Sequence, residues 1–354
     1  MMFRFLIFLV VLGVIVVGVF EWANETWMQP GPAKKASVVL IAPRARAHDI
    51  AAQIESAGAA TNALLFEAEL HLHGLATKVK AGEYALPPFA SMAEVAKILV
   101  EGKSIQHKLT AAEGLTSGMI QKIVQSDTVL VGDAGAVPAE GALLPETYLF
   151  TRGTTRADMI ARMQDAEKKF LDAQWKAKSS GLPLATPEQA VILASIVEKE
   201  TALPEERRHI AAVFLNRLRA GMKLQSDPTI IYGITKGYPL GRGIRESEIA
   251  DATPYNTYAI TGLPPTPICN PGKDSLAAVL KPALSADLYF VANGKGGHVF
   301  AATMAQHEKN VVAWRAQERA RQGLPPLQAE KPAVKSKATS KSAAKPARRR
   351  RHSK

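Results

Sequence analysis

A charge-free apolar segment near the N-terminus constrains this chain more than any other feature. Phe5–Phe20 contains no charged or strongly polar side chain. It is long for a signal-peptide core of roughly 7–15 residues and slightly short for a membrane span of about 20 residues. An arginine precedes it and a glutamate follows it, so the positive-inside rule leaves the N-terminus in the cytoplasm. Because no small-x-small cleavage site follows, and Trp22 and Trp27 stand where interfacial aromatics would, we predict an uncleaved signal anchor over residues 1–28.

The remaining composition is that of a globular protein with a basic tail. With 354 residues and 47% hydrophobic residues, the chain has room for two or three domains. Residues 325–354 hold six Lys, four Arg and one Glu, so they carry +9 of the net charge of +12. Because the rest is nearly balanced, we expect no folded nucleic-acid-binding face and a disordered tail over 324–354. The single cysteine, Cys269, excludes intrachain disulfides and cysteine-based metal clusters, and no motif predicts a metal or a cofactor.

The periodicity between anchor and tail predicts an α+β fold. Ser91 before an apolar stripe that stops at Gly102 is typical of a capped helix. Asn293–Gly297 lies between two apolar runs, which favours a hairpin over a phosphate-binding loop. The predicted parts are a linker over 29–36, a small α+β module over 37–103, an intermediate α+β segment over 104–154 and a mixed α/β domain over 155–323.

The helix predicted to begin at Pro187 carries an oddly placed carboxylate. At about 100° per residue, Glu200 falls near 80° and Glu198 near 240°. The arc around Glu200 is apolar and contains Ile192, Leu193, Ile196 and Val197. Because a buried charge is costly unless it is paired or neutralised, Glu200 has either a cationic partner or a role as an acid. Arg217, near the apolar face of the next predicted helix, is the candidate partner, and the helical wheel leaves both interpretations open.

Five sequence blocks carry a resemblance to a known family. They are S-I-V-E-K-E-T (195–201), E-R-R-H-I-A-A-V-F-L-N-R-L (206–218), L-Q-S-D-P-T-I-I-Y-G (224–233), Y-N-T-Y-A-I-T-G-L-P-P (255–265) and L-Y-F-V-A-N-G-K-G-G-H-V-F (288–300). In this order they closely resemble the YceG-like family, the endolytic murein transglycosylases of MltG type. The resemblance continues more loosely through 80–84 and 144–148 and includes the single N-terminal anchor, but it does not cover the basic tail.

The resemblance implies a lytic transglycosylase that cleaves the β-1,4 bond between N-acetylmuramic acid and N-acetylglucosamine in nascent glycan strands, and so ends their elongation. It implies that Glu200, the second Glu of E-K-E-T, is the catalytic acid, and that the module over 37–103 is LysM-like and binds glycan. The implied partners are peptidoglycan glycan strands, the bacterial inner membrane through the N-terminal helix, and peptidoglycan synthases. The catalytic domain is then expected on the periplasmic side.

A single carboxylate is enough for the implied reaction. Glu200, kept protonated by apolar surroundings, gives its proton to the leaving glycosidic oxygen and then takes one from the muramyl 6-hydroxyl, which closes onto C1. Hydroxyl, amide and aromatic groups that suit sugar binding belong to Gln225, Asp227, Tyr255, Asn256 and Tyr258, although hydrogen bonding within their loops is an equally open role. Two alternatives remain: a hydrolytic muramidase with Asp227 as second carboxylate, and a membrane-anchored peptidoglycan-binding scaffold without catalysis.

Overall fold

A computed structural model describes residues 2–325, in which helices and short antiparallel sheets alternate. The mixed α+β class is therefore confirmed, while the predicted tail lies outside the described residues except for 324 and 325. The elements are α1 (Met2–Met28), β1 (Ser37–Ile41), α2 (Ala47–Ser56), α3 (Ala63–Leu72), β2 (Gly82–Leu86), α4 (Met92–Glu101), β3 (His107–Thr110), α5 (Ser117–Ser126), β4 (Thr147–Phe150), α6 (Arg156–Lys176), α7 (Pro187–Glu200), α8 (Pro204–Arg219), α9 (Asp227–Thr235), α10 (Glu246–Ala250), α11 (Lys273–Leu280), β5 (Tyr289–Ala292), β6 (His298–Ala301) and α12 (Met304–Arg321). The chain separates into two compact units between Leu288 and Tyr289, and the domain boundaries derived from the sequence stay predictions.

The first helix, α1, is long and apolar enough to cross a membrane. Its 27 residues extend for about 40 Å at 1.5 Å per residue. Trp22 is 58% exposed, as expected for an interfacial ring, but Trp27 is 4% exposed. The ring centroid of Trp27 lies 5.6 Å from that of Phe66 and 5.6 Å from that of His73. The interfacial role predicted for Trp27 is therefore wrong, because the last turn of α1 packs against α3 and buries this ring in protein.

The module that follows is built on the antiparallel pair of β1 and β2, whose register joins Ser37 to Leu86. Its core comes from this sheet and from α2, α3 and α4, and the largest fully buried side chains are Ile41, Ile54, Phe66, Leu70, Tyr84, Leu86 and Leu99. The amide of Gly31 donates to the carbonyl of Phe89 at 3.1 Å, and the amide of Phe89 donates to the carbonyl of Ala33 at 2.7 Å. The predicted linker is therefore hydrogen-bonded to the module. That the module is LysM-like stays a prediction.

The predicted start and stop signals of α4 are confirmed. The Ser91 hydroxyl accepts from the amide of Glu94 at 3.2 Å, and the Glu94 carboxylate accepts from the amide of Ser91 at 2.9 Å. This reciprocal pair is a capping box, and Gly102 ends the helix at a φ of 74°, in the left-handed region that glycine tolerates best.

Helix α7 is enclosed on several sides, because α6, α8, α9 and α11 all contact it. Leu193, Ile196 and Val197 of the predicted apolar arc are buried, and Ile192 is partly buried. Residues from the other side of the wheel, such as Val191 and Ala194, are buried too. The wheel therefore identifies the apolar arc but not a solvent-facing side.

In the second unit, β5 and β6 form the predicted antiparallel hairpin, in which Tyr289 pairs with Ala301. Helix α12 contacts both strands.

Candidate active site

Glu200 is the last residue of α7 and is partly buried. The following residue, Thr201, is extended (φ −144°, ψ 136°), so the helix stops there. The hydroxyl of Ser226 donates a hydrogen bond to Oε1 of Glu200 at 2.5 Å. A short bond from a hydroxyl to a carboxyl group is among the stronger hydrogen bonds in proteins. The position of the Glu200 carboxyl group therefore depends on Ser226.

Ser226 is 1% exposed, and its backbone is fixed from both sides. Its amide donates to Oγ1 of Thr257 at 2.9 Å, and its carbonyl accepts from Oγ1 of Thr229 at 2.7 Å. Ser226 occupies the N-cap position of α9, yet its side chain makes no capping bond. The hydroxyl is turned towards Glu200 instead. Sequence reasoning missed this residue, because a serine before Asp-Pro is most simply interpreted as a helix cap.

Glu198 has a different environment from Glu200, although both belong to E-K-E-T. Its Oε2 accepts from the amide of Gly272 at 3.0 Å and from the hydroxyl of Ser275 at 2.7 Å. Gly272 is the N-cap residue of α11, where unpaired amides and the helix dipole favour a negative charge. Glu198 therefore ties α7 to the start of α11.

Asp227 and Tyr258 form the next pair near Glu200. The Tyr258 hydroxyl donates to Oδ1 of Asp227 at 2.7 Å. Burial raises the pKa of Tyr258, and the bond to Asp227 and the charge of Glu200 raise it further. The phenol is therefore neutral at physiological pH and lies within the electrostatic reach of both carboxylates. Asp227 is exposed, so it is accessible from the surface.

Arg217, the predicted partner of Glu200, is buried. Its Nε donates to the carbonyl of Leu288 at 2.6 Å, and its Nη1 donates to the carbonyl of Leu224 at 2.6 Å. Its charge lowers the pKa of Tyr258, while that of Glu200 raises it. Arg217 thus holds the segment that leads into Ser226. Its role as an orienting partner of Glu200 stays a prediction.

Asn256 and Tyr255 connect their loop to neighbouring segments, α10 and Thr266. Asn256 is 1% exposed, and its Nδ2 donates to three backbone carbonyls at 3.2, 2.9 and 2.6 Å. Its Oδ1 accepts from the amide of Tyr258 at 2.9 Å. The Tyr255 hydroxyl lies 2.8 Å from Oγ1 of Thr266. Of the two roles left open by the sequence, these contacts favour loop support, and direct substrate binding by either residue stays a prediction.

Gln225, the remaining candidate, is exposed and adopts a left-handed backbone with a φ of 52°. Its amide donates to the carbonyl of Thr257 at 3.1 Å. A non-glycine residue in this region costs free energy and is held there by its surroundings. The strain lies next to Ser226, where the chain turns to aim the hydroxyl at Glu200.

A cleft of about 300 Å³ opens beside Glu200. Glu113, Glu198 and Arg207 line it together with Glu200, and the Arg207 guanidinium lies 3.6 Å from the Glu113 carboxylate. Burial raises the pKa of Glu113, and the charge of Glu198 raises it further, against the lowering effect of Arg207. Sequence reasoning missed Glu113, because it is distant from E-K-E-T in the chain and belongs to none of the five blocks.

Comparisons with known proteins give the family of the chain. The sequence pattern of the YceG-like family matches residues 39–313. An endolytic murein transglycosylase of Bacillus subtilis is 35% identical over 173 residues, which cover 49% of this chain and 47% of that protein. An endolytic murein transglycosylase of Streptococcus pneumoniae is 31% identical over 329 residues, which cover 79% of this chain and 58% of that protein. The chain thus spans about half the length of the curated relatives it matches.

A crystal structure of a YceG-like protein from Listeria monocytogenes is 28% identical, with a TM-score of 0.47, and the match covers 78% of this chain and 99% of that one. Because the family pattern extends over most of the sequence, this chain belongs to the YceG-like family.

Proposed function

We propose that this protein is a membrane-anchored lytic transglycosylase. It cleaves the β-1,4 bond between N-acetylmuramic acid and N-acetylglucosamine in nascent glycan strands and leaves 1,6-anhydro ends, which ends strand elongation. The observation that carries the proposal is the 2.5 Å bond from the buried Ser226 hydroxyl to Glu200. The other glutamate of the motif, Glu198, caps α11. The relatives named endolytic murein transglycosylases support the same activity.

In the proposed reaction, protonated Glu200 gives its proton to the glycosidic oxygen as the bond to C1 breaks. The acetamido carbonyl of the substrate stabilises the positive charge that develops at C1. The resulting Glu200 carboxylate takes the proton of the muramyl 6-hydroxyl, whose oxygen closes onto C1. Ser226 acts as a positioning residue, because its hydroxyl fixes the carboxyl group and stabilises it once it is charged.

The arrangement around Glu200 supports binding of a sugar polymer. The neutral phenol of Tyr258, bonded to Asp227, offers a ring face and a hydroxyl close to the acid. Gln225 and Asp227 are exposed on either side of the buried Ser226. The backbone amides of Gln225 and Ser226 both donate hydrogen bonds to Thr257, which fixes this segment. Side chains of this type hydrogen-bond sugar hydroxyl and acetamido groups. We therefore assign Tyr258, Asp227 and Gln225 to substrate contact, with Asn256 and Tyr255 supporting their loop.

We expect α1 to anchor the protein in the membrane, with the N-terminus in the cytoplasm and the catalytic domain in the periplasm. The burial of Trp27 against Phe66 supports a stiff connection between α1 and the first module. A stiff connection keeps the enzyme near the membrane surface, where new strands are polymerised. Peptidoglycan synthases are the neighbours expected there.

A hydrolytic muramidase is the second candidate, and Asp227 is the observation that favours it. This exposed carboxylate accepts a hydrogen bond from Tyr258, and the charge of Glu200 raises the pKa of the same tyrosine. Two carboxylates about a bond are the usual arrangement for glycoside hydrolysis.

The two candidates differ in their use of water. The full chain in detergent micelles is incubated with uncrosslinked glycan strands in ¹⁸O-labelled water, and the ends are analysed by mass spectrometry. The proposal predicts anhydro ends without label. New reducing ends that form in place of anhydro ends would establish hydrolysis instead, and glycan that stays intact would contradict both and leave a non-catalytic scaffold.

A further inference from the structure

The two strands of the first module, β1 and β2, form a sheet whose two outer edges differ. The segment after α4 covers the edge of β2, where the amide of Ile105 donates to the carbonyl of Glu83 at 2.6 Å. The strand β1 has one neighbour, β2, in the part of the chain that the structure describes. The other edge of β1 is therefore open, and an open edge is where a sheet can take up a further strand.

The register of the sheet identifies the groups that lie along this open edge. Successive residues of an antiparallel strand direct their amide and carbonyl groups alternately towards the partner strand and away from it. Because the carbonyl of Glu83 points away from β1 towards Ile105, Glu83 and the opposite residue, Leu40, form a pair without ladder hydrogen bonds. Val38, two positions earlier, faces the same way as Leu40. These two residues present two amides and two carbonyls along the edge, and neither has a backbone partner there among the described residues.

A groove of about 380 Å³ with uncharged walls lies beside this edge, between β1 and α2. Residues of β1 line one side, and small side chains of α2 and its C-cap line the other: Val38, Val39 and Leu40 face Ala52, Ser56 and Ala57. The small side chains leave room for those of an added strand. Val38 is 57% exposed and Leu40 is 48% exposed, so an added strand would also cover apolar surface that water now contacts.

Exposed cations flank β1 on both sides in the sequence. Lys34 and Lys35 precede the strand, and Arg44 follows it. A second copy of β1 would bring the same cations against these in either direction of pairing, and the tail over 325–354 carries +9, so like charges oppose both of these occupants. A segment with acidic residues at both ends is attracted instead, whichever way it runs.

We propose that the open edge of β1 binds an extended apolar segment of a partner protein, flanked by acidic residues, as a third strand of the sheet. Backbone hydrogen bonds to Val38 and Leu40 hold the segment. Alternate side chains of the segment point to one face and pack in the groove against α2. Its acidic ends pair with Lys34, Lys35 and Arg44. The interaction uses no part of the site around Glu200 and does not depend on the proposed function.

The first test is the binding of a synthetic nonapeptide to the full chain in micelles of an uncharged detergent. The peptide has blocked termini, alternating valine and threonine at its five central positions, and two acidic residues at each end. We expect saturable binding, measured by fluorescence anisotropy of a labelled copy, that weakens as salt is added. A peptide with lysine in place of the acidic residues should bind at least tenfold more weakly. A peptide N-methylated at the five central amides lacks the backbone donors and should not saturate. Equal binding of the three peptides, or no binding of the first, would overturn the proposal.

Hydrogen exchange at single backbone amides locates the bound strand. In the free protein, the amides of Val39 and Ile41, which are directed towards β2, should exchange slowly, whereas those of Val38 and Leu40 should exchange fast. A saturating amount of the acidic peptide should slow exchange at Val38 and Leu40 at least tenfold. Peptide binding without this protection would contradict the assignment of the edge.

Two pairs of variants test the residues of the edge. Val38→Pro removes an amide that faces the edge and no bond to β2, a position that proline tolerates, and should weaken peptide binding at least tenfold. Val38→Thr keeps the amide and should stay within about threefold of the unmodified protein. Lys34→Glu combined with Lys35→Glu should weaken binding at least fivefold, whereas Lys97→Glu, at a position on α4 that is 75% exposed, should change it less than twofold. Equal effects within either pair would overturn the proposal. If Val38→Pro does not fold, the N-methylated peptide and the exchange data decide on the unmodified protein.

A second copy of the chain is the competing occupant. Sedimentation of the unmodified protein in micelles without peptide, over a hundredfold range of concentration, measures self-association. We expect no association that Val38→Pro abolishes. A dimer that Val38→Pro dissociates, together with no binding of the acidic peptide, would identify a second copy as the occupant and overturn the proposal.

Discussion

The hydroxyl of Ser226 offers the sharpest single perturbation of the proposed site. Ser226→Ala removes the donor that lies 2.5 Å from Glu200 and leaves the backbone bonds of residue 226 intact. A hydrogen bond to a charged group contributes about 1.5–3 kcal/mol. At about 1.36 kcal/mol for each tenfold change in rate, we expect kcat to fall about 10- to 150-fold. KM should change little, because Ser226 is buried and acts through Glu200.

Ser275→Ala is the matched control, because Ser275 is also fully buried and donates to the other glutamate, Glu198, at 2.7 Å. Its loss should lower the free energy of unfolding by about 1–2 kcal/mol and leave kcat per folded molecule within about threefold. The assay counts anhydro ends released from glycan strands over time, with the folded fraction measured by circular dichroism. Equal losses of kcat in the two variants, or no loss in Ser226→Ala, would refute the distinction between the two glutamates.

Three further outcomes are expected. Trp27→Ala should lower the free energy of unfolding by about 3–5 kcal/mol, whereas Trp22→Ala, at an exposed position, should change it by less than about 0.5 kcal/mol. Thermal unfolding in micelles measures the effect of both variants. Similar values for the two would contradict the packing of Trp27. Asn256→Ala removes four hydrogen bonds and should cost about 2–4 kcal/mol. Amide exchange in loop 252–258, measured by mass spectrometry, should become faster, and unchanged protection there would contradict the supporting role of Asn256. Burial raises the pKa of Glu167 in the folded protein from its ordinary value of 4.5 to about 8. The contribution of Glu167 to stability is therefore complete below pH 4.5 and is lost as the pH rises to 8, at up to about 1.4 kcal/mol per pH unit. Glu167→Gln should therefore gain stability relative to the unmodified protein between pH 5 and pH 8 in urea unfolding, and parallel profiles would contradict the raised pKa.

Local signals in the sequence were enough for most of the fold. The Ser91 cap and the Gly102 stop of α4 depend on residues a few positions apart, and so does the hairpin that encloses Asn293–Gly297. Trp27 shows the limit of such reasoning. Its sequence environment is that of a membrane boundary, but Phe66, with which it packs, is distant in the chain, and no local pattern reveals that contact.

The candidate site was also predictable only as far as local sequence patterns determine it. The wheel separated Glu200 from Glu198, because that distinction follows from helix geometry alone. What each carboxylate contacts depends on segments that come together in the fold: Ser226 on one side, and Gly272 with Ser275 on the other. The local sequence pattern predicts that the Ser226 side chain caps α9. In the structure its hydroxyl donates to Glu200 instead, which is a contact between distant parts of the chain.

Buried groups of α6 and of the cleft could not be inferred from sequence at all. Glu167 belongs to a helix whose pattern is charged throughout, so nothing in the sequence marks it as a buried residue. Glu113 precedes the family blocks and reaches the cleft only through the packing of its loop against Arg207. Both depend on long-range contacts that a periodic pattern does not encode.

The most direct measurement is the rate at which anhydro ends form in three full-length proteins in detergent micelles: unmodified, Glu200→Gln and Glu198→Gln. Because general acid–base catalysis typically contributes 10²–10⁴-fold, Glu200→Gln should lower the rate per folded molecule at least about 100-fold. Glu198→Gln should unfold at a lower temperature and keep a rate per folded molecule close to that of the unmodified protein. Substantial activity in Glu200→Gln, or an equal loss in Glu198→Gln, would contradict the assignment of Glu200 as the catalytic acid.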